Sequence, residues 1–109
     1  MLMSKFVDLL FEMAQVHPKE SGLNYPVYIS EKNAKHGPRV KIFKHNGKSG
    51  PTFSITVSDN PQVIGNSFVN KRELKRMINW VILNKQTLID LWNAELTHRE
   101  ALNKIKSIK

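Results

Sequence analysis

Arg39-Val40-Lys41-Ile42-Phe43-Lys44-His45-Asn46-Gly47-Lys48-Ser49-Gly50-Pro51-Thr52-Phe53-Ser54-Ile55-Thr56-Val57-Ser58 is the stretch that decides the fold. In its first part Val40 and Ile42 point one way, and Arg39, Lys41 and Phe43 point the other. Phe43 breaks the polarity of that second set, so cover over part of the second face is compatible with the pattern. In its last part Phe53, Ile55 and Val57 alternate with Thr52, Ser54, Thr56 and Ser58, the period-two signature of a strand with one buried face. Asn46 to Pro51 is dense in turn residues. The two runs are predicted to form a hairpin. Its register is pinned, because a slip of one residue would turn every apolar side chain to water.

Working outward, Tyr25 to Ser30 is expected as a short strand opened by Pro26, and Gln62-Val63-Ile64 as a last short strand stopped by Gly65-Asn66. Asp59-Asn60-Pro61 turns the chain between the hairpin and that last strand. An N-terminal helix is predicted from Ser4 to Val16. Ser4 is a suitable N-cap, Phe6, Leu9, Leu10 and Met13 fall at i, i+3, i+4 and i+7, and His17-Pro18 ends the run. Toward the C-terminus, Asn70 followed by Glu73 opens a helix striped by Leu74, Met77, Ile78, Val81 and Ile82. A break at Lys85-Gln86 precedes a second helix capped by Thr87, with Leu88, Leu91, Trp92 and Leu96 facing inward. Thr97 and Glu100 repeat the capping pattern for a tail helix. The predicted class is α+β: an N-terminal helix, an antiparallel meander of three to four short strands, and two to three C-terminal helices on one sheet face. Trp80 and Trp92 are both expected to pack against the face of Val40, Ile42, Phe53, Ile55 and Val57.

At 109 residues the chain is expected to be one domain, residues 1–109. Hydrophobic residues make up 40% and charged residues 24%, near globular averages, which argues against wholesale disorder. There is no cysteine, so disulfide scaffolds, thiolate zinc sites and cysteine nucleophiles are excluded. No apolar run approaches the length of a membrane span, so no membrane partner is expected. The first residues carry Asp8 and Glu12 inside the apolar stretch, and the segment is not read as a signal peptide. The expected location is the cytoplasm or the interior of a virus particle.

Charge is the strongest global signal. Lys and Arg number 17 against 9 Asp and Glu, a net of +8. The excess is local: residues 32–48 carry six cations and no acid, and residues 71–85 carry five cations against Glu73. Such a field attracts polyanions, so an acidic protein surface or nucleic acid is the expected partner. Two clusters are the candidate contact residues: Lys35, His36, Arg39, Lys41, Lys44 and His45 along the first hairpin strand, and Lys71, Arg72, Lys75 and Arg76 on the helix start. In the second cluster like charges stack at i, i+4 and sit at the positive end of the helix dipole, an arrangement that a polyanion would relieve.

Chemistry is sparse. No phosphate-cradling glycine loop or zinc-protease motif occurs, and His17, His36, His45 and His98 fall in different predicted elements. No metal, no cofactor and no catalytic residue is expected. Histidines beside cations could in principle act as acid and base on an RNA 2′-hydroxyl. Without a spaced acid–base pair, however, no ribonuclease activity is expected.

One similarity covers about two-thirds of the chain. It is carried by Tyr25-Pro26-Val27-Tyr28-Ile29-Ser30, by Lys35-His36-Gly37-Pro38-Arg39-Val40-Lys41-Ile42, by Gln62-Val63-Ile64-Gly65-Asn66, by Leu74 to Lys85 and by Leu88 to Asn93. This order resembles small prokaryotic and phage proteins with a His-bearing strand and a helix pair carrying Trp and Asn, some of which are toxin–antitoxin components. That group's strand has a Pro-Pro-His-x-His pattern, of which only His36 and Pro38 stand here, in altered order. The resemblance implies an α+β fold. The expected function is a non-catalytic basic interaction or structural subunit of a larger nucleoprotein or phage particle assembly. The alternative is a nucleic-acid-binding regulator or toxin–antitoxin component.

Overall fold

The computed structural model describes residues 13–30, 37–45 and 49–108. Among them are five strands and four helices: β1 (Met13–Val16), α1 (Pro18–Ser21), β2 (Val27–Ser30), β3 (Arg39–His45), β4 (Ser49–Thr56), β5 (Val63–Ile64), α2 (Lys71–Leu83), α3 (Lys85–Trp92) and α4 (His98–Lys104). The strands form one antiparallel sheet in sequence order, β1 to β5. The α+β class stands as expected, with more strands than the three to four predicted.

Register follows the alternation. Val16, Val27, Ile42 and Phe53 line up across four strands, and so do Ile29, Val40, Ile55 and Val63. All but Val63 are buried, and they meet Met77, Trp80 and Val81 of α2, Leu88 and Leu91 of α3 and Ala101 of α4. Each fully buried aliphatic side chain contributes about 1.5–3 kcal/mol, so these two rows hold the sheet against the helices. Edge-to-face ring contacts run from Phe53 through Phe68 to Tyr25, with centroids 5.1 and 5.2 Å apart.

The predicted N-terminal helix is corrected at its end. Residues 1–12 lie outside the described residues, but Met13–Val16, assigned to that helix, is strand β1. Here pairing overrides local propensity: β1 hydrogen-bonds along β2, and Val16, opposite Val27, is buried while Gln15 is partly exposed. The break at His17-Pro18 is real and opens the short α1, with Pro18 in the first turn and the Glu20 carboxylate accepting from the His17 N–H at 3.0 Å.

Trp92 is also corrected. Trp80 is fully buried, whereas Trp92 is only partly buried and lies outside the core cluster. Leu88 and Leu91, three residues apart, take the buried side of α3 instead. That helix begins at Lys85, so Thr87 is inside it rather than its cap. The capping of the other two helices is as expected. The Asn70 side chain accepts from Glu73 N–H at 2.8 Å. Thr97 and Glu100 exchange hydrogen bonds of 2.9 and 3.1 Å, and the Thr97 N–H holds the Glu100 carboxyl below the usual carboxylate range.

After α4 the backbone is extended at Ile105, and the residues that follow form a strap along α2, held at Arg76 and Asn84. Asn84, between α2 and α3 and only 2% exposed, is its anchor. Its amide donates to the carbonyls of Trp80 and Lys106 at 3.0 Å each and accepts from the Lys106 N–H at 2.7 Å. Ile108 N–H then donates to Ser21 C=O at 2.8 Å. Gly22 follows α1 at φ 80°, where a Cβ would collide with the Ile108 carbonyl, so glycine is needed both for its backbone angle and for the strap's approach.

Candidate partner-binding surface

The two predicted basic clusters do not form one surface. Val40 and Ile42 face the helices, so Arg39 and Lys41, one residue out of phase, lie on the opposite sheet face. Lys71, Arg72 and Lys75 project from the solvent side of α2, across the molecule. Lys35 and His36 lie outside the described residues.

On the sheet side, Arg39 and Lys41 are half-exposed. Between them and the end of β3 sits an aromatic pair, Tyr28 and Phe43, with ring centroids 5.1 Å apart and each 6% exposed. Burial pushes the Tyr28 hydroxyl above its ordinary pKa. Phe43 is therefore a packed residue and not a platform on which a base can stack. Beyond it, β3 and β4 continue past β2 and β5 as a two-stranded ribbon, with Lys44 and His45 exposed. The His45 ring lies against Gly50, at a position where a Cβ would clash with it.

On the helix side, Arg76 has an internal role. Its guanidinium donates to the carbonyls of Gly22 at 2.9 Å and Ile108 at 3.4 Å, and it stands 3.9 Å from Glu73. Glu73 in turn receives the Asn24 amide at 3.4 Å. Lys71, Arg72 and Lys75 are exposed and make no ion pair with any described acid. Beside them opens a cleft of about 690 Å³ lined by Asn70, Arg72, Glu73, Arg76, Asn79 and Ile108.

No family model matches the chain, and no curated protein or solved structure matches it. Among the described residues no three His, Asp or Glu side chains gather as a metal site would require. No described helix is long and apolar enough to cross a membrane. Of the cleft residues, Arg72 and Arg76 are among the expected contacts, Asn70 and Glu73 are expected only as the helix cap, and Asn79 and Ile108 are not expected there. Residues 72, 76 and 79 share one helix stripe, and that spacing was the available signal. The strap that forms the cleft's other wall had no local signal, since its partners are Ser21, Arg76 and Asn84.

Proposed function

We propose that the protein is a small, non-catalytic basic subunit that docks on a polyanionic partner within a larger nucleoprotein assembly, in the cytoplasm or inside a virus particle. The observation that carries this reading is the group Lys71, Arg72 and Lys75: three exposed cations without a described acidic partner, at the helix end where the dipole already disfavours positive charge. A stability-driven sequence has no reason to place them there, and an anion relieves the repulsion.

The reading assigns no chemical step to the chain. His17 precedes α1, His45 packs on Gly50, and His98 begins α4, so these three stand in separate elements. The test is a sizing column run at low and high salt, with and without nucleic acid. Co-elution at low salt and release at high salt is the expected result. Elution as free protein under every condition, with nucleic acid and with an acidic polypeptide alike, overturns the reading.

A further inference from the structure

We propose that the cleft between α2 and the C-terminal strap is a phosphate-backbone site, and that nucleic acid enters the molecule there rather than along β3. This rests on the polyanion reading and names the partner class and the face.

The lining is that of a phosphate contact. Arg72 and Arg76 are one helical turn apart, Asn79 continues the same stripe, and Asn70 sits at the helix mouth. Arginine, asparagine and helix N-termini are the groups that proteins present to phosphates. Arg76 does not need to be ordered on binding: the Gly22 and Ile108 carbonyls already hold its guanidinium in the cleft wall. A charged group fixed in advance loses little conformational entropy when an anion arrives. Lys71 and Lys75 flank the stripe and extend the positive field beyond the cleft. Glu73 is the opposing charge in the lining, and Arg76 and the Asn24 amide both face its carboxylate.

The same lining argues against an acidic protein as the occupant. Protein interfaces carry an apolar core with aromatic anchors. Here Ile108 is the single apolar lining residue. The exposed Ile82 and Leu83 sit at the far end of α2, and on the sheet side Tyr28 and Phe43 are buried.

The experiment uses fluorescence anisotropy of labelled random-sequence duplex DNA and single-stranded RNA with the full chain. The variants are Arg72→Gln/Lys75→Gln and, as the contrasting pair, Arg39→Gln/Lys41→Gln. Arg76 is left intact because it holds the strap, and each variant is first checked for an unchanged melting curve. The α2 pair is expected to lose roughly tenfold in affinity at low salt and to shed about 0.9 of log–log salt slope per lost duplex contact, while the β3 pair changes affinity by less than about twofold. Binding that survives the α2 substitutions, or that is lost with the β3 pair instead, overturns the site and leaves the polyanion reading standing. Binding of polyglutamate but of neither nucleic acid overturns it in favour of an acidic protein. Binding of none of the three removes the polyanion reading itself.

Discussion

At the first turns of α2, Lys71, Arg72 and Lys75 stand in water with no described acid beside them. At the other end Asn84 is buried, and its amide makes three hydrogen bonds to backbone groups. Both ends are polar in sequence. They differ in whether a distant segment brings backbone donors and carbonyls within reach. Arg76, midway, is held like Asn84 by distant carbonyls, although it still lines the cleft beside Arg72. A charge run along a helix is therefore not one surface: each residue has to be assigned by what approaches it.

The buried half of α2 should dominate stability. Trp80→Ala is expected to cost about 3–5 kcal/mol, because it empties a fully enclosed site. Trp92→Ala should cost clearly less, about 1–2 kcal/mol, because that side chain is partly exposed and outside the core cluster. Urea unfolding of both variants measures the difference, and equal losses would return Trp92 to the core. Asn84→Leu comes next. It leaves the Lys106 N–H and carbonyl without their partner, while the Trp80 carbonyl keeps the Asn84 backbone N–H, at about 1–3 kcal/mol. An unchanged midpoint would mean that the strap contributes nothing.

The cationic half should behave in the opposite way. Changing Lys71, Arg72 and Lys75 together to Gln is expected to leave the melting temperature unchanged or raise it slightly, since it removes repulsion within the first turns. Arg76→Gln, one position along, should lower it through the lost Gly22 and Ile108 contacts. If the triple variant melts well below the parent, those cations are structural and the contrast between the two ends fails.

The smallest effect is in pH. Burial lowers the His98 pKa below its ordinary 6.5, so the unfolded chain binds the proton more readily than the folded one. Stability should then be complete above about pH 6.5 and decline as pH falls toward the folded value. His98→Gln should flatten this part of a melting-temperature profile. A decline of the same size in the variant would assign it to other groups.

The pairing of the central hairpin, the last short strand, α2 and the Thr97 cap were legible because each is written in adjacent residues: alternation, turn chemistry or a cap three positions from its partner. The hairpin's turn was read too long, since β4 already begins at Ser49 and ends at Thr56. β1 was not. The helical stripe ending at Met13 continues into Ala14-Gln15-Val16, and nothing local shows that Val27 to Ser30 will supply a hydrogen-bonding edge. The charge clusters were legible as composition. Their placement on opposite sides of the molecule was not, because it depends on the phase of β3 against the helix layer. The inward roles of Arg76 and Asn84 depend on Ile108 and Lys106, far along the chain.

The order β1 to β5 has a consequence for rates. Every strand pairs with its neighbour in sequence, so the sheet assembles through short loop closures, which are quick. The Ser21–Ile108 hydrogen bond closes a loop over most of the described chain. Such a contact rewards the chain only after the sheet and helices have formed. The strap therefore acts mainly as a latch on the way out. Weakening it should shorten the lifetime of the folded molecule while leaving the speed of folding nearly untouched.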